Sequence, residues 1–295
     1  MAGSWLHRSI LAIVAAGWMS GARAAVPAPI AAAQDAAARM TIAVRVNGTG
    51  PYPFVVDTGS DRTVISRALA DALHLPPGRR VRLHDAHGVA VVDTVMLDRL
   101  SFGGRDVEGV EAPVLDAGNM GAAGMLGIDS LRDQQVVMDF VHRRFTATRS
   151  TPDVNDLPPG TVVVLGRRKF GQLVLVDADA NEEPIFVILD TGAQNTLGNA
   201  ALQRLVTTPW TAKPEVVDVI SVMGSHRPAD ANTISEIRLG GILLRHVPIA
   251  YSDLETFRQF GLQDRPAMLL GMDILRLFPR VTVDFLRREA TFSPP

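Results

Sequence analysis

Residues 54–66 read FVVDTGSDRTVIS, and residues 185–199 read IFVILDTGAQNTLGN. In each, an apolar run with the composition of a buried strand ends in Asp-Thr-Gly, at Asp57 and at Asp190. A carboxylate at the inner end of such a strand is costly to bury alone. A turn or helix-cap role accounts for a solitary aspartate such as Asp61 or Asp71, but not for two in one matched setting. The fold must therefore meet the same cost twice.

The repeat extends well beyond the tripeptides. Aligned on the aspartates, Thr58, Gly59 and Thr63 fall on Thr191, Gly192 and Thr196, and Ser66 falls on Asn199. Ser66 and Asn199 suit helix N-caps, and each precedes a short amphipathic stretch, 67–73 and 200–206. Upstream, Ile42, Val44 and Val46 alternate with Ala43, Arg45 and Asn47, and Asn47-Gly48 opens a hairpin turn toward 54–56. Residues 173–176, a polar loop at 181–184 and residues 185–189 repeat that arrangement. Downstream, MLGIDSLRDQQVVMDFVHRRFTAT is matched by LLGMDILRLFPRVTVDFLRREATF. Short strands, few helices and an internal duplication predict an all-β architecture of two homologous lobes, related by a pseudo-twofold axis and carrying short helices. The lobes are expected over 41–149 and 161–295, joined by a Pro- and Asp-containing linker at 150–160.

Facing the two loops across such an axis gives the carboxylates a purpose. Each glycine permits a tight turn, and each threonine hydroxyl can hydrogen-bond across to the other loop. Two carboxylates held that close cannot both ionise, so the pair shares one proton over a wide pH range. One of them can then take a proton from water while the other donates to a carbonyl oxygen, which is general acid–base hydrolysis of an amide.

These residues resemble the active-site loops of the aspartic proteases. The first, DTGSDRTVI, is most similar to the retropepsin-like branch, where D-T-G-A-D-x-T-V is typical; the second has Gln194 where that branch has aspartate. Met125-Leu126-Gly127 and Leu269-Leu270-Gly271 match the family's apolar-apolar-glycine segment, threaded behind each loop. The resemblance covers nearly all of residues 41–295 and is that of a retropepsin-like core duplicated in one chain, as in bacterial exported aspartyl proteases. It implies two acid-protease-like β lobes, a peptide hydrolase with Asp57 and Asp190 as the catalytic pair, and loop support from Thr58, Gly59, Ser60, Thr191, Gly192 and Ala193. Ser60 can hydrogen-bond its aspartate, whereas Ala193 cannot, so the two carboxylates need not be equivalent.

The family also closes its cleft with β-hairpin flaps. By position these are 84–90, with His84, Asp85, Ala86, His87 and Gly88, and 221–229, with Met223, Gly224 and Ser225. Neither has the tyrosine of pepsin-like flaps. Asp129 and Asp273, in matching G-x-D-x-L segments, read as helix caps, with Ile128 and Met272 where the retroviral branch has arginine. The glycine-spaced segment 118–127 has no lysine of a phosphate cradle and reads as a flexible approach to the strand behind Asp57.

Residues 1–25 carry His7 and Arg8, the short apolar run 10–19 and Ala22-Arg23-Ala24, the pattern of a secretory signal peptide. About ten apolar residues fall short of the ~20 that span a bilayer. Residues 26–40, rich in Ala and Pro, read as a mobile leader. An exported chain, periplasmic or secreted, is expected, with no stable membrane insertion once the signal is removed. Loss of Arg8 and Arg23 takes the formal charge from −2 to −4, which leaves no electrostatic footprint for nucleic acid. The absence of cysteine removes disulfides and thiol nucleophiles. His84 and His87 read as turn residues rather than metal ligands, so neither metal nor cofactor is expected. The expected partner is a polypeptide substrate, bound by a monomer. A second reading is a secreted pseudo-protease that binds peptides and cleaves them weakly or not at all.

Overall fold

The computed structural model describes residues 28–150, 157, 159–169, 172–209 and 211–294. The expected signal peptide and most of the expected linker lie outside the described residues. The described chain is dominated by strands, with six short helices, as the all-β expectation requires.

Each half is built on the same plan. In the first, Met40–Val46 pairs antiparallel with Thr49–Val56 across a two-residue turn, where Asn47 and Gly48 adopt φ of 49° and 80°. Positive φ at both turn positions is what makes Asn-Gly suitable here. Ile42, Val44 and Val46 point inward and Ala43 and Arg45 outward, the alternation the sequence shows. Thr49–Val56 then lies parallel to Gly124–Leu126, with Phe54, Val55 and Val56 opposite Gly124, Met125 and Leu126. In the second half, Phe186–Leu189 lies parallel to Ala267–Leu270. The two helices expected after the aspartate loops are Arg67–Ala72 and Ala200–Val206. Ser66 Oγ accepts from the Leu69 N–H and Asn199 Oδ1 from the Leu202 N–H.

A sheet joins the halves. Gln134–Asp139 pairs antiparallel with Arg280–Asp284, and Arg144–Arg149 and Glu289–Phe292 flank them on either side. Further strands extend this sheet at its margins. Val162–Lys169 pairs first with Glu289–Phe292 and then with Gln172–Leu175. The assumed leader behaves likewise: in the strand Ile30–Gln34, Ile30 and Ala31 pair with Phe145 and Arg144, and Ala32–Gln34 pair with Met40–Ile42. Residues 30–34 of the expected leader are thus a strand paired within the first half. Alternation of alanine with alanine has no hydrophobic amplitude, so nothing marked this strand in the sequence.

The glycine-spaced segment also differs from its reading as a flexible approach. It opens with a helical turn, Ala117–Met120, capped by Asp116 and ended by Gly121 at φ 68°. Asp116 accepts the Gly118 N–H, the usual mechanism of an N-cap.

One ion pair ties the central sheet across the halves. Asp139 Oδ2 accepts from Arg280 at 2.9 Å, and Asp139 Oδ1 accepts the His142 N–H at 2.8 Å. Burial pushes the Asp139 pKa up, but the His142 and Arg280 hydrogen bonds outweigh it and hold it at about 2, against an ordinary 3.8. A folded pKa below the unfolded value adds stability above about pH 4, lost as pH falls toward 2. Urea midpoints should show Arg280→Met less stable than wild type at pH 5, with the gap narrowing at pH 2.5. An equal gap at both pH values would mean that the pair contributes no acid sensitivity.

Candidate active site

Asp57 and Asp190 each follow the buried last residue of a strand, Val56 and Leu189. The segment behind each loop fixes its backbone: the Asp57 N–H donates to Leu126 O at 3.0 Å and the Asp190 N–H to Leu270 O at 3.1 Å. Beyond these contacts come Gly127 and Gly271. A Cβ on Gly127 would lie 2.3 Å from the Arg62 carbonyl carbon, and one on Gly271 would lie 2.6 Å from that of Asn195. Only glycine fits between the two crossing backbones, as the threaded apolar-apolar-glycine pattern implies.

Asp129 and Asp273 do cap a first-turn N–H, that of Ser130 at 2.7 Å and that of Ile274 at 2.9 Å, but they also do more. The helices Ile128–Leu131 and Met272–Leu275 are capped at Gly127 and Gly271 without a side-chain bond. Asp129 Oδ1 also accepts both the backbone N–H and the hydroxyl of Thr63, at 2.9 and 2.7 Å. Asp273 holds Thr196 in the same way at 3.0 and 2.7 Å. Each threonine hydroxyl in turn accepts from the following glycine, Gly127 or Gly271, at 3.1 Å. The clamp was legible only as a matched G-x-D-x-L in both halves.

The two aspartate loops bind one another reciprocally. The Thr58 hydroxyl donates to Leu189 O at 3.0 Å and accepts the Thr191 N–H at 3.2 Å. The Thr191 hydroxyl donates to Val56 O at 2.7 Å and accepts the Thr58 N–H at 3.0 Å. Both threonines are essentially inaccessible, so no water competes for these four bonds.

The carboxylates meet where the loops cross. A Cβ on Gly59 would sit 2.4 Å from the Asp190 carboxyl carbon, and one on Gly192 would sit 2.4 Å from that of Asp57. Each glycine is therefore the floor under the opposite aspartate. Asp57 Oδ1 accepts the Gly59 N–H at 2.8 Å; Asp190 Oδ1 accepts the Gly192 and Ala193 N–H groups at 2.9 and 3.0 Å. Burial, and for Asp57 the neighbouring Asp190 charge, pushes both acids above the usual carboxylate range. The backbone donors and the Arg39 guanidinium pull against that rise.

Ser60 does not act as its side chain suggested. Its hydroxyl donates to Arg62 O at 2.8 Å, and only its backbone favours the ionised form of Asp57. The hydroxyl of Ser60 therefore does not distinguish the two carboxylates.

Both flap candidates are hairpins, and each tip rests on the opposite half. Val81–His84 and Val89–Val92 form the first, with the Asp85 N–H closing its turn onto Gly88 O. Ala86 packs against the second-half cluster containing Leu254 and Phe257, and its carbonyl accepts the Glu255 N–H. His84 approaches that glutamate to 3.7 Å. In the second hairpin, Glu215–Ile220 pairs with His226–Leu239, and Val222 and Met223 pack against Val55, Leu115 and Met120 of the first half. The tips also touch each other: His87 Nδ1 lies 2.9 Å from Ser225 Oγ, and Arg227 donates to His87 O at 3.1 Å. A Cβ on Gly224 would meet the Asn119 amide at 2.6 Å. Burial pushes the His87 pKa down.

A family model described as aspartyl protease matches residues 42–130 and, again, 176–274, one match in each half of the duplication. A search of curated proteins finds no match.

The reciprocal threonine bonds yield a double-mutant test. Thr58→Val keeps the volume but leaves the Leu189 carbonyl and the Thr191 N–H without partners, which should cost about 2–5 kcal/mol of unfolding free energy. Thr191→Val should cost a similar amount. Since the two hydroxyls act on one junction, the double variant should cost less than the sum. Strict additivity in urea unfolding would show that the loops do not depend on one another.

Proposed function

The chain belongs to the aspartyl protease family, and on that premise we propose that it is an aspartic endopeptidase whose catalytic pair is Asp57 and Asp190. The observation that carries the proposal is the placement of each carboxyl group over the other loop's glycine, in a junction sealed by two buried threonines.

In this scheme a water held between the carboxyl groups is the nucleophile. One carboxylate takes its proton as the water attacks the scissile carbonyl carbon, and the protonated partner donates to the carbonyl oxygen. Collapse of the tetrahedral intermediate returns a proton to the departing nitrogen. Water attacks directly, so the scheme includes no acyl-enzyme. The backbone donors at Gly59, Gly192 and Ala193 hold the carboxylates in orientation throughout.

The two halves are read as lobes related by a pseudo-twofold axis, supported by the reciprocal hydrogen bonds between their loops. The hairpins at 84–90 and 221–229 are read as paired flaps, which must part for a polypeptide to enter. Their crossed contacts with the opposite half support that reading. The protein is proposed to be an exported monomer acting on polypeptides, on the strength of the signal-like residues 1–25 and the duplication within one chain.

The test is cleavage of a diverse peptide pool from acid to neutral pH. Asp57→Asn and Asp190→Asn should each lower turnover by at least about 100-fold with the fold intact. Activity requires one proton on the pair. It should fail at the acid extreme, where both groups are protonated, and fall as pH rises through the raised pKa. Burial and mutual repulsion should therefore carry activity above the ordinary carboxylate range. Undiminished activity in either variant refutes the shared pair. A wild type that binds peptides but cleaves none at any pH would favour the pseudo-protease reading.

A further inference from the structure

Arg39 lies in the segment that reads as a leader, yet it is 9% exposed and reaches both halves, at the second aspartate loop and at the helical turn Ala117–Met120. Its guanidinium donates to the Gly192 carbonyl, inside the second aspartate loop, at 3.3 Å. A second nitrogen donates to the Met120 carbonyl of the first half. The Nε donates to Asp35 Oδ2 at 2.7 Å. Asp35 is itself held in place: its Oδ1 accepts the Ala37 and Arg39 N–H groups at 3.0 and 2.8 Å, and its own N–H donates to Arg39 O at 3.1 Å. Ala38, at φ 58°, completes the turn. The recess is fitted to this pair, since a Cβ on Gly121 would lie 2.9 Å from Arg39 Nη2 and 3.2 Å from Asp35 Oδ2.

We propose that Arg39 is a positioning residue of the aspartate pair: it pins the Gly192 loop to the Met120 carbonyl and keeps a fixed positive charge beside both carboxyl groups. Arg39 approaches the pair from the first half, out of the turn Asp35 to Arg39. Buried N–H donors, the neighbouring carboxylate and this guanidinium all act on the pair, and Asp35 partly offsets the guanidinium. Buried charges in contact act strongly at short range because water does not screen them.

The inference rests on the proposed function only for its turnover readout. Arg39→Gln keeps donors and removes charge, Arg39→Lys keeps charge and loses the planar fork, and Asp35→Asn keeps the acceptor and removes the counter-charge. Loss of a cation raises nearby carboxyl pKa values, so Arg39→Gln should move the pH–kcat profile upward by roughly one unit. Asp35→Asn should move it the opposite way. Arg39→Lys should leave its position near that of wild type while lowering kcat, because one ammonium cannot replace two directed contacts. A purely structural role would change the amount of folded enzyme without moving the profile.

The same titration can be followed by carbon-13 NMR of the labelled Asp57 and Asp190 carboxyl groups, which needs no turnover. Unmoved profiles and unmoved carboxyl titrations in both Arg39→Gln and Asp35→Asn overturn the proposal. A wild type without peptidase activity whose carboxyl titrations still shift in these variants would refute the proposed function and leave the role of Arg39 standing. Should Arg39→Gln fail to fold, Asp35→Asn alone decides by the sign of its shift.

Discussion

Two carboxyl groups pressed together away from solvent repel one another and are poorly hydrated, and the molecule is arranged to hold them there regardless. The restraint is the exchange of hydrogen bonds between Thr58 and Thr191, each hydroxyl filling the other loop's open donor and acceptor. Neither loop can adopt this shape without the other, because each would leave a buried backbone group unpaired. The clamps from Asp129 and Asp273, the two glycines at the backbone crossings and the capped helices all serve to present the threonines at the correct height. The bonds that join the halves are thus the same ones that hold the carboxyl groups together.

Much of this was legible in the sequence because it was written twice. A single Asp-Thr-Gly is weak, but the matched caps Ser66 and Asn199, the matched threonines and the matched apolar-apolar-glycine segments gave the loops a setting that could only be paired. What escaped notice left no pattern. The strand Ile30–Gln34 has a run of three alanines at its centre, and its place is secured by backbone pairing with Met40–Ile42 and with the distant Arg144 and Phe145. Ser60 was read from its chemistry alone, whereas its hydroxyl is taken up by the nearby Arg62 carbonyl. Asp129 and Asp273 do bond a first-turn N–H, so local preference pointed to only part of their role. Their partners Thr63 and Thr196 arrive from distant positions.

The hairpins illustrate a second limit. Their position between the aspartate loop and the glycine segment was readable, but not where their tips would rest. Each leans on the other half's apolar residues, and a side-chain contact from His87 to Ser225 joins the tips. Contacts of this sort depend on hairpin length and on the surface opposite, neither of which local sequence encodes. They also mean that the halves meet in three layers: the shared sheet, the threonine junction and the crossed tips.

The short connection that carries Arg39 has a consequence for what a duplicated chain can become. In an assembly of two identical subunits every residue beside the centre must occur twice, so the paired acids are bound to remain equal. Joining the halves in one polypeptide lifts that rule. One half can then carry, in a turn such as Asp35 to Arg39, a cation that the other half need not repeat. Equality of the acids then ceases to be enforced by symmetry and becomes a quantity that selection can adjust one side at a time.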